Sequence, residues 1–308
     1  MSPARSEDLT VVVVTFNSAD LVPDLLDSLK VGLGDLTWRL AVADNASTDD
    51  TVEVLQRLAP RATIVEMGRN AGYAAGINAA TAASGPTCAT LVLNPDVRLE
   101  PECVPELLRA LEEEGVGIAV PRLVDGHGEL VRSMRRRPTI LRAAADALIG
   151  ASRAGRFAAL GEIVTDVDRY ERPSAPDWAE GSTQLVSADC VASCWPWDES
   201  FFLYSEETEF HLRAGDSGFA MRYVPTARAI HLGGESTTSP GLWSLLVANR
   251  VKLFAQRRGR LLAVPYWSVL LLREGSRAVL GKQTSRRAVA TLLDPRRLAS
   301  PRGPEWLS

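Results

Sequence analysis

Apolar runs that stop abruptly at polar residues recur through the first 120 residues. The first holds four consecutive valines, Val11 to Val14. A β-branched run without polar alternation suits a strand covered on both faces. Thr15-Phe16-Asn17-Ser18 ends it, and Leu21, Leu25, Leu26 and Leu29 then recur at helical spacing. Residues 40–43 predict a second strand ending at Asp44-Asn45, with Ser47, Thr48 and Asp49 as N-cap candidates for a helix reaching Leu58. Residues 63–66 predict a third strand, and 69–73 turn into an alanine-rich helix that stops near Gly85-Pro86. A buried strand over 88–93 follows. Pro95 cannot donate to a ladder, so the strand ends before it and delivers Asn94 and Asp96 at its carboxyl end. Val104, Leu107, Leu108 and Leu111 mark the next helix, and 116–120 the next strand.

This alternation predicts an α/β fold with a mostly parallel sheet covered by helices. Three strands end in polar signatures, Thr15/Asn17, Asp44/Asn45 and Asn94/Asp96, and in a parallel sheet those ends share one ligand-binding edge. A carboxylate there suits a hard divalent cation, although Asn-Pro-Asp alone also reads as a turn. No GxGxxG follows the first strand and no GxxxxGK[ST] occurs, which weakens dinucleotide and P-loop readings.

From 125 to 177 the pattern loosens into an excursion over the site. It carries a basic run, Arg132, Arg135, Arg136, Arg137 and Arg142, read first as a solvated loop and otherwise as a binder of a diphosphate-linked acceptor or anionic lipid heads. Residues 143–160 read as helical. Glu206, Glu207 and Glu209 open a helix, where acids suit the macrodipole. Residues 219–230 read as a strand and turn, and 241–308 as two or three arginine-rich helices.

Composition narrows the class. Hydrophobic residues are 46%, charged residues 23%, and the net charge is −4, so nothing global points to nucleic acid. Cys88, Cys103, Cys190 and Cys194 form no disulfide framework and read as reduced thiols, mostly buried. Residues 1–8 are polar and the apolar run 11–14 is too short for a signal peptide. Residues 261–272 are too few to span a bilayer and Pro265 interrupts them. A cytoplasmic protein is expected, able to touch the inner face of the cell membrane peripherally.

Six motifs in order carry a family resemblance: VVVVTFNS (11–18), VADNASTDDTVE (42–53), GRNAGYAAGINAA (68–80), LVLNPDV (91–97), ESFFLYSEETEF (199–210) and YVPTARAIHLGGES (223–236). The chain resembles family 2 inverting glycosyltransferases of the GT-A fold, most of all the rhamnosyltransferase-like branch, where Asn249-Arg250 also recurs. The resemblance implies a catalytic domain over 1–240 and a helical extension over 241–308.

It also implies roles. Thr15, Asn17, Asp44, Asn45, Arg69, Asn70, Asn78 and Asn94 would bind the nucleotide sugar, Asp44 accepting from the N3–H of a uracil or thymine base. Asp96 would hold Mg²⁺ or Mn²⁺ with His231 as second ligand; Asn94 replaces the first aspartate of the family's Asp-X-Asp. Glu207 would be the base, where the family has aspartate, with Glu206 or Glu209 able to share the role. Trp178, Gly181 and Glu206 would face the acceptor. His127 and His211 match nothing and read as structural.

The expectation is a metal-dependent, inverting hexosyltransferase. Its donor is a nucleoside-diphosphate sugar, dTDP-rhamnose first, and its acceptor a hydroxyl on a cell-envelope glycan or lipid-linked precursor. Alternatives are a secondary-metabolite acceptor, a catalytically silent glycan- or nucleotide-binding relative, and a nucleotidyltransferase, which lacks its glycine-rich N-terminal loop here.

Overall fold

The computed structural model describes residues 9–233 and 239–306; residues 1–8 and the end of the last motif, 234–236, lie outside them. Ten strands form: β1 (Leu9–Thr15), β2 (Trp38–Asp44), β3 (Thr63–Glu66), β4 (Ala89–Leu93), β5 (Val97–Leu99), β6 (Val116–Val124), β7 (Met134–Arg135), β8 (Trp178–Ala179), β9 (Thr183–Ser187) and β10 (Ala220–His231). The helices of the first two-thirds are α1 (Val22–Leu33), α2 (Thr51–Leu58), α3 (Tyr73–Ser84), α4 (Cys103–Leu111), α5 (Ile140–Ile149), α6 (Ala151–Ala154), α7 (Ala188–Cys194) and α8 (Glu206–Asp216). Those of the tail are α9 (Pro240–Arg258), α10 (Arg260–Val279), α11 (Gln283–Leu293) and α12 (Pro295–Ala299).

The main sheet has the order β3-β2-β1-β4-β9-β6-β10-β5. β1, β2, β3 and β4 are mutually parallel, and β10 is parallel to β6. β9 runs antiparallel between β4 and β6, and β5 antiparallel to β10. The valine run shows why the sheet is buried on both faces. Val11 and Val13 point into one core with α1, α2 and α4; Val12 and Val14 point into the other, with α3, α7 and α8. The polar ends of β2, β1 and β4 lie side by side, Thr15 directly opposite Asp44, as a parallel sheet requires.

Several local expectations change. The helix after β2 starts at Thr51, because Asp49 accepts from the Thr51 amide and hydroxyl and from the Ala19 amide, tying two loops together. The helix expected over 143–160 breaks at Gly150, whose φ of +84° a helix cannot hold. Residues 220–231 form one long strand, with a register irregularity between Val224 and Arg228. All four cysteines are free; Cys103, Cys190 and Cys194 are buried.

The arginine run is not a solvated loop. Arg136 donates to the carbonyls of Gly161 and Ile163, Arg137 pairs with Asp177 and Asp216, and Arg142 donates to the carbonyls of Arg137 and Ala158. These bonds tie the excursion to itself and to α8; Glu162 and Asp146 pair with Arg250 and Arg273 of the tail, and Ala143 of α5 shares a core with α9, α10 and α11.

Candidate active site

Two cavities bear on the site, one at the carboxyl ends of β1, β2 and β4 and one between the excursion, the start of α8 and the tail helices. The larger is a cleft of about 550 Å³, lined among others by Thr15, Asn17, Asn45, Asn70, Asn94 and Asp96. Its loops are knitted together by the residues the sequence singles out. Asn17, in the left-handed region at φ 50°, accepts from the Thr48 amide at 2.8 Å. Asn45 accepts from the Ala71 amide and donates to the Gly72 carbonyl. Gly72 must be glycine: its φ is +92°, and a Cβ would lie 2.3 Å from the Phe202 carbonyl oxygen.

Asp44 lies beneath this floor, 2% exposed. Its Oδ1 accepts from the hydroxyls of Thr15 and Ser47 and its Oδ2 from the Ser47 amide, at 2.6 to 2.8 Å. A carboxylate offers about four acceptor sites, so one remains, on Oδ2.

Three expected residues stand apart. Asn78 lines neither cavity; its side chain holds the loop after α7, donating to Trp197 O and Glu199 and accepting from Trp197 N. It sits more than a turn into α3, too far along the helix to reach the strand ends. Arg69 is exposed and lines neither cavity. Glu206 is buried at the start of α8 and also lines neither.

The second cavity, about 380 Å³, contains Glu207, Glu180, Trp178, Arg135, Tyr204 and Arg142 among its walls. Glu207 is the second residue of α8, which starts directly after Tyr204 and Ser205, both left-handed at φ 69° and 74°. Two adjacent non-glycine residues in that region are costly and need outside support. Asn249 of α9 supplies it, donating to the carbonyls of Leu203 and Tyr204 at 2.9 and 3.0 Å. Gly181 leaves room for Glu207: a Cβ there would lie 2.8 Å from the Glu207 Cβ. Burial and then the charge of Glu180 push Glu207 up to about 7, although Arg135 opposes the shift. Burial and the adjacent Glu207 hold Glu206 well above the carboxylate range. Glu209 pairs with Arg213 at 2.9 Å and lines neither cavity.

One line of side chains joins the two cavities. His231 faces Val97 across the β10–β5 pairing, which sets its ring beside Asp96. Its Nε2 lies 3.3 Å from Asp96 Oδ2, and its Nδ1 lies 2.9 Å from Glu180 Oε1. β9 puts Glu180 there: it pairs antiparallel with β4, Asn94 N donates to Ser182 O, and the residues just before β9 therefore lie beyond the β4 end. Burial opposes a charge on the His231 ring, but hydrogen bonds with Asp96 and Glu180 push it up to about 10. Burial likewise opposes the Glu180 charge, yet His231 holds that carboxyl below its ordinary range. The Tyr73 hydroxyl is buried with no hydrogen-bond partner among the described residues; burial first, then Glu206, Asp96, Glu207 and Glu180, hold it well above its ordinary range.

These residues fit a divalent cation. Two cis ligands each about 2.1 Å from one ion stand roughly 3 Å apart, close to the Asp96–His231 separation. A carboxylate on the far nitrogen of a ligating histidine is the usual outer partner, and Glu180 occupies that position. Among the described residues no group of three or more His, Cys, Asp or Glu side chains forms a complete cage, so remaining ligands would have to be substrate or water.

Sequence reasoning missed Glu180 and Tyr73. Glu180 stands between Trp178 and Gly181, but its meaning depends on the antiparallel insertion of β9, which the apolar pattern does not reveal. His211 is buried as expected, its ring between the Ala179 amide and Gln184 Oε1.

Comparison with known proteins agrees with this architecture. The sequence model described as Glycosyl transferase family 2 matches residues 10–164. An N-acetylglucosaminyl-diphospho-decaprenol L-rhamnosyltransferase of Mycobacterium tuberculosis is 27% identical over 240 residues, covering 74% of this chain and 77% of that protein. A low-salt glycan biosynthesis hexosyltransferase, Agl10, of Haloferax volcanii is 24% identical over 230 residues, covering 73% and 67%. Among solved structures, the mannosyltransferase PcManGT from Pyrobaculum calidifontis in complex with GDP-Man and Mn²⁺ superposes with a TM-score of 0.58 at 16% identity, covering 99% of this chain and 86% of that one. GalNAc-T7 with UDP, GalNAc and Mn²⁺ gives 0.61 at 12% identity, covering 92% and 54%. The fold is GT-A, and the chain belongs to glycosyl transferase family 2.

Proposed function

We propose that this chain is a metal-dependent, inverting hexosyltransferase. It would move a sugar from a nucleoside-diphosphate donor, dTDP-rhamnose first, to a hydroxyl of a lipid-linked or cell-envelope glycan. The observation that carries the reading is the Asp96–His231–Glu180 line, which ends in the cleft on one side and beside Glu207 on the other. The rhamnosyl donor and the diphosphate-lipid acceptor are taken from the mycobacterial relative's name.

In this reading Thr15, Asn17, Asn45, Asn70 and Asn94 line the nucleotide site, and the base N3–H takes the remaining acceptor site of Asp44. Asp96 and His231 would hold Mn²⁺ or Mg²⁺, which when bound neutralises charge on the departing diphosphate. Glu207 takes the proton of the acceptor hydroxyl as that oxygen bonds to the anomeric carbon; the carbon–oxygen bond to the diphosphate breaks on the opposite face, so the centre inverts. Burial suits Glu207 to this task, because a base poised near neutrality is ionised yet able to keep the proton. Trp178 offers a face for the acceptor, with the Arg135 guanidinium 5.7 Å from its ring centre. Residues 1–240 form the catalytic unit and 241–308 the helical extension that closes the acceptor cavity. The cell location is cytoplasmic, peripheral at the inner face of the membrane, with no nucleic-acid partner.

The test is to supply a donor panel with Mn²⁺ and a short-chain diphosphate-lipid N-acetylglucosamine. The expected result is release of dTDP and a product of inverted anomeric configuration by NMR. Absence of nucleoside diphosphate release from every donor, or a retained configuration, would overturn the reading.

A further inference from the structure

The tail differs electrically from the rest of the chain. From residue 240 onward it holds thirteen Lys or Arg against three Asp or Glu, in a chain of net charge −4. Some of these cations are used internally: Arg250 pairs with Glu162, Arg257 with Asp216, and Arg273 with Asp146 and Glu274. Arg258, Arg260, Lys282 and Arg286 are exposed, and among the described residues no carboxylate pairs with them. They stand at the two ends of α10.

Between those ends α10 presents leucine and valine to solvent. Leu261, Leu272 and Val279 are 90%, 73% and 87% exposed. Their spacings of eleven and seven residues are close to whole turns, so the three stand in one line along about 27 Å of helix. Pro265 and Ser268 fall on the same line and carry no charge. The opposite side is fully used, with Ala263, Tyr266 and Leu270 in a core shared with α9 and α11. Tyr266 and Arg273 also form part of the wall of the cavity that holds Glu207.

We propose that α10 lies in the surface of an anionic bilayer, its Leu261–Leu272–Val279 line in the headgroup–acyl boundary and its terminal cations on lipid phosphates. No described helix is long and apolar enough to cross a membrane, so this one lies along it. A second copy of the chain fits the line less well. Two copies of α10 packed about a twofold axis would set Arg258 and Arg260 against Lys282 and Arg286, and like charges repel. The proposal deepens the lipid-linked acceptor reading, because the helix that meets the bilayer also walls the acceptor cavity.

Flotation of the full chain with vesicles tests it. The chain should float with phosphatidylcholine containing one-third phosphatidylglycerol and stay behind with phosphatidylcholine alone. Leu272→Ser with Val279→Ser should weaken partitioning about tenfold or more, and Arg258→Ala with Arg260→Ala by roughly fivefold per charge. Both pairs are exposed, so unchanged thermal unfolding serves as the control for folding. Equal flotation of all three proteins, or none with anionic vesicles, would overturn the proposal. So would a dimer in sedimentation that the Leu272→Ser, Val279→Ser pair dissociates. Sugar-nucleotide turnover with a water-soluble acceptor is measured separately; its failure would count against the glycosyltransferase reading and leave the flotation result standing.

Discussion

Glu180 holds His231 by its Nδ1 at 2.9 Å, leaving Nε2 turned toward Asp96. The contact fixes the ring and would make Nε2, once deprotonated, a better ligand for a cation. Glu180→Gln should therefore weaken Mn²⁺ binding about 10- to 100-fold in the presence of nucleoside diphosphate, measured by the loss of free-Mn²⁺ resonance. Asp96→Ala should abolish the Mn²⁺-dependent part of nucleotide binding in calorimetry. Unchanged affinity in either variant would remove that residue from the metal site.

Glu207 gives two linked expectations. As the base it acts ionised, so kcat/KM should rise with pH through about 7 and then level, and Glu207→Gln should lose a factor of about 10² to 10⁴. Stability should move the other way. A carboxyl whose folded pKa lies above its unfolded value favours folding while protonated, so that contribution fades as pH rises through the interval from 4.5 to about 7. Glu207→Gln should then raise the melting temperature at pH 8, by at most about 3 kcal/mol in stability, since the side chain partly faces the cavity. A variant no more stable than the parent at pH 8 would contradict the burial argument.

Asn249 braces the turn before Glu207, the proposed base, from another part of the chain. Asn249→Ala removes the donors to the Leu203 and Tyr204 carbonyls and frees a left-handed turn. The expected result is a fall in kcat of about tenfold or more with donor KM unchanged. A purely structural role would lower the melting temperature and leave kcat alone.

His211 should matter for folding and not for turnover. Burial pushes its pKa down to about 3, so the folded protein keeps it neutral while the unfolded chain protonates it near 6.5. The stability it contributes is present above that value and is lost as pH falls from 6.5 toward 3. His211→Leu strands the Gln184 acceptor and should cost about 1–3 kcal/mol in urea unfolding at pH 7, with kcat nearly unchanged.

Much of the half that forms the strand-end cleft is legible in the sequence because its elements are local. Val11 to Val14, the strand stop at Pro95 and the glycine before Tyr73 each report a backbone constraint within a few residues. The same logic places Thr15, Asn45, Asn70, Asn94 and Asp96 along one cleft. It fails for Asn78, Arg69 and Glu206, where only three-dimensional direction decides which way a side chain points. It fails again for Glu180, whose role is created by an antiparallel strand inserted between two parallel ones. The arginine run looked solvated because its partners are mostly backbone carbonyls, which carry no sequence signature.

The brace from α9 to the 203–204 carbonyls has an evolutionary consequence. In the proposed mechanism, nucleotide capture and proton removal would be kept by different stretches of chain, so they could drift at different rates. On that reading, changes in the last 70 or so residues would retune which hydroxyl is deprotonated while the strand ends proposed to grip the nucleotide stay as they are.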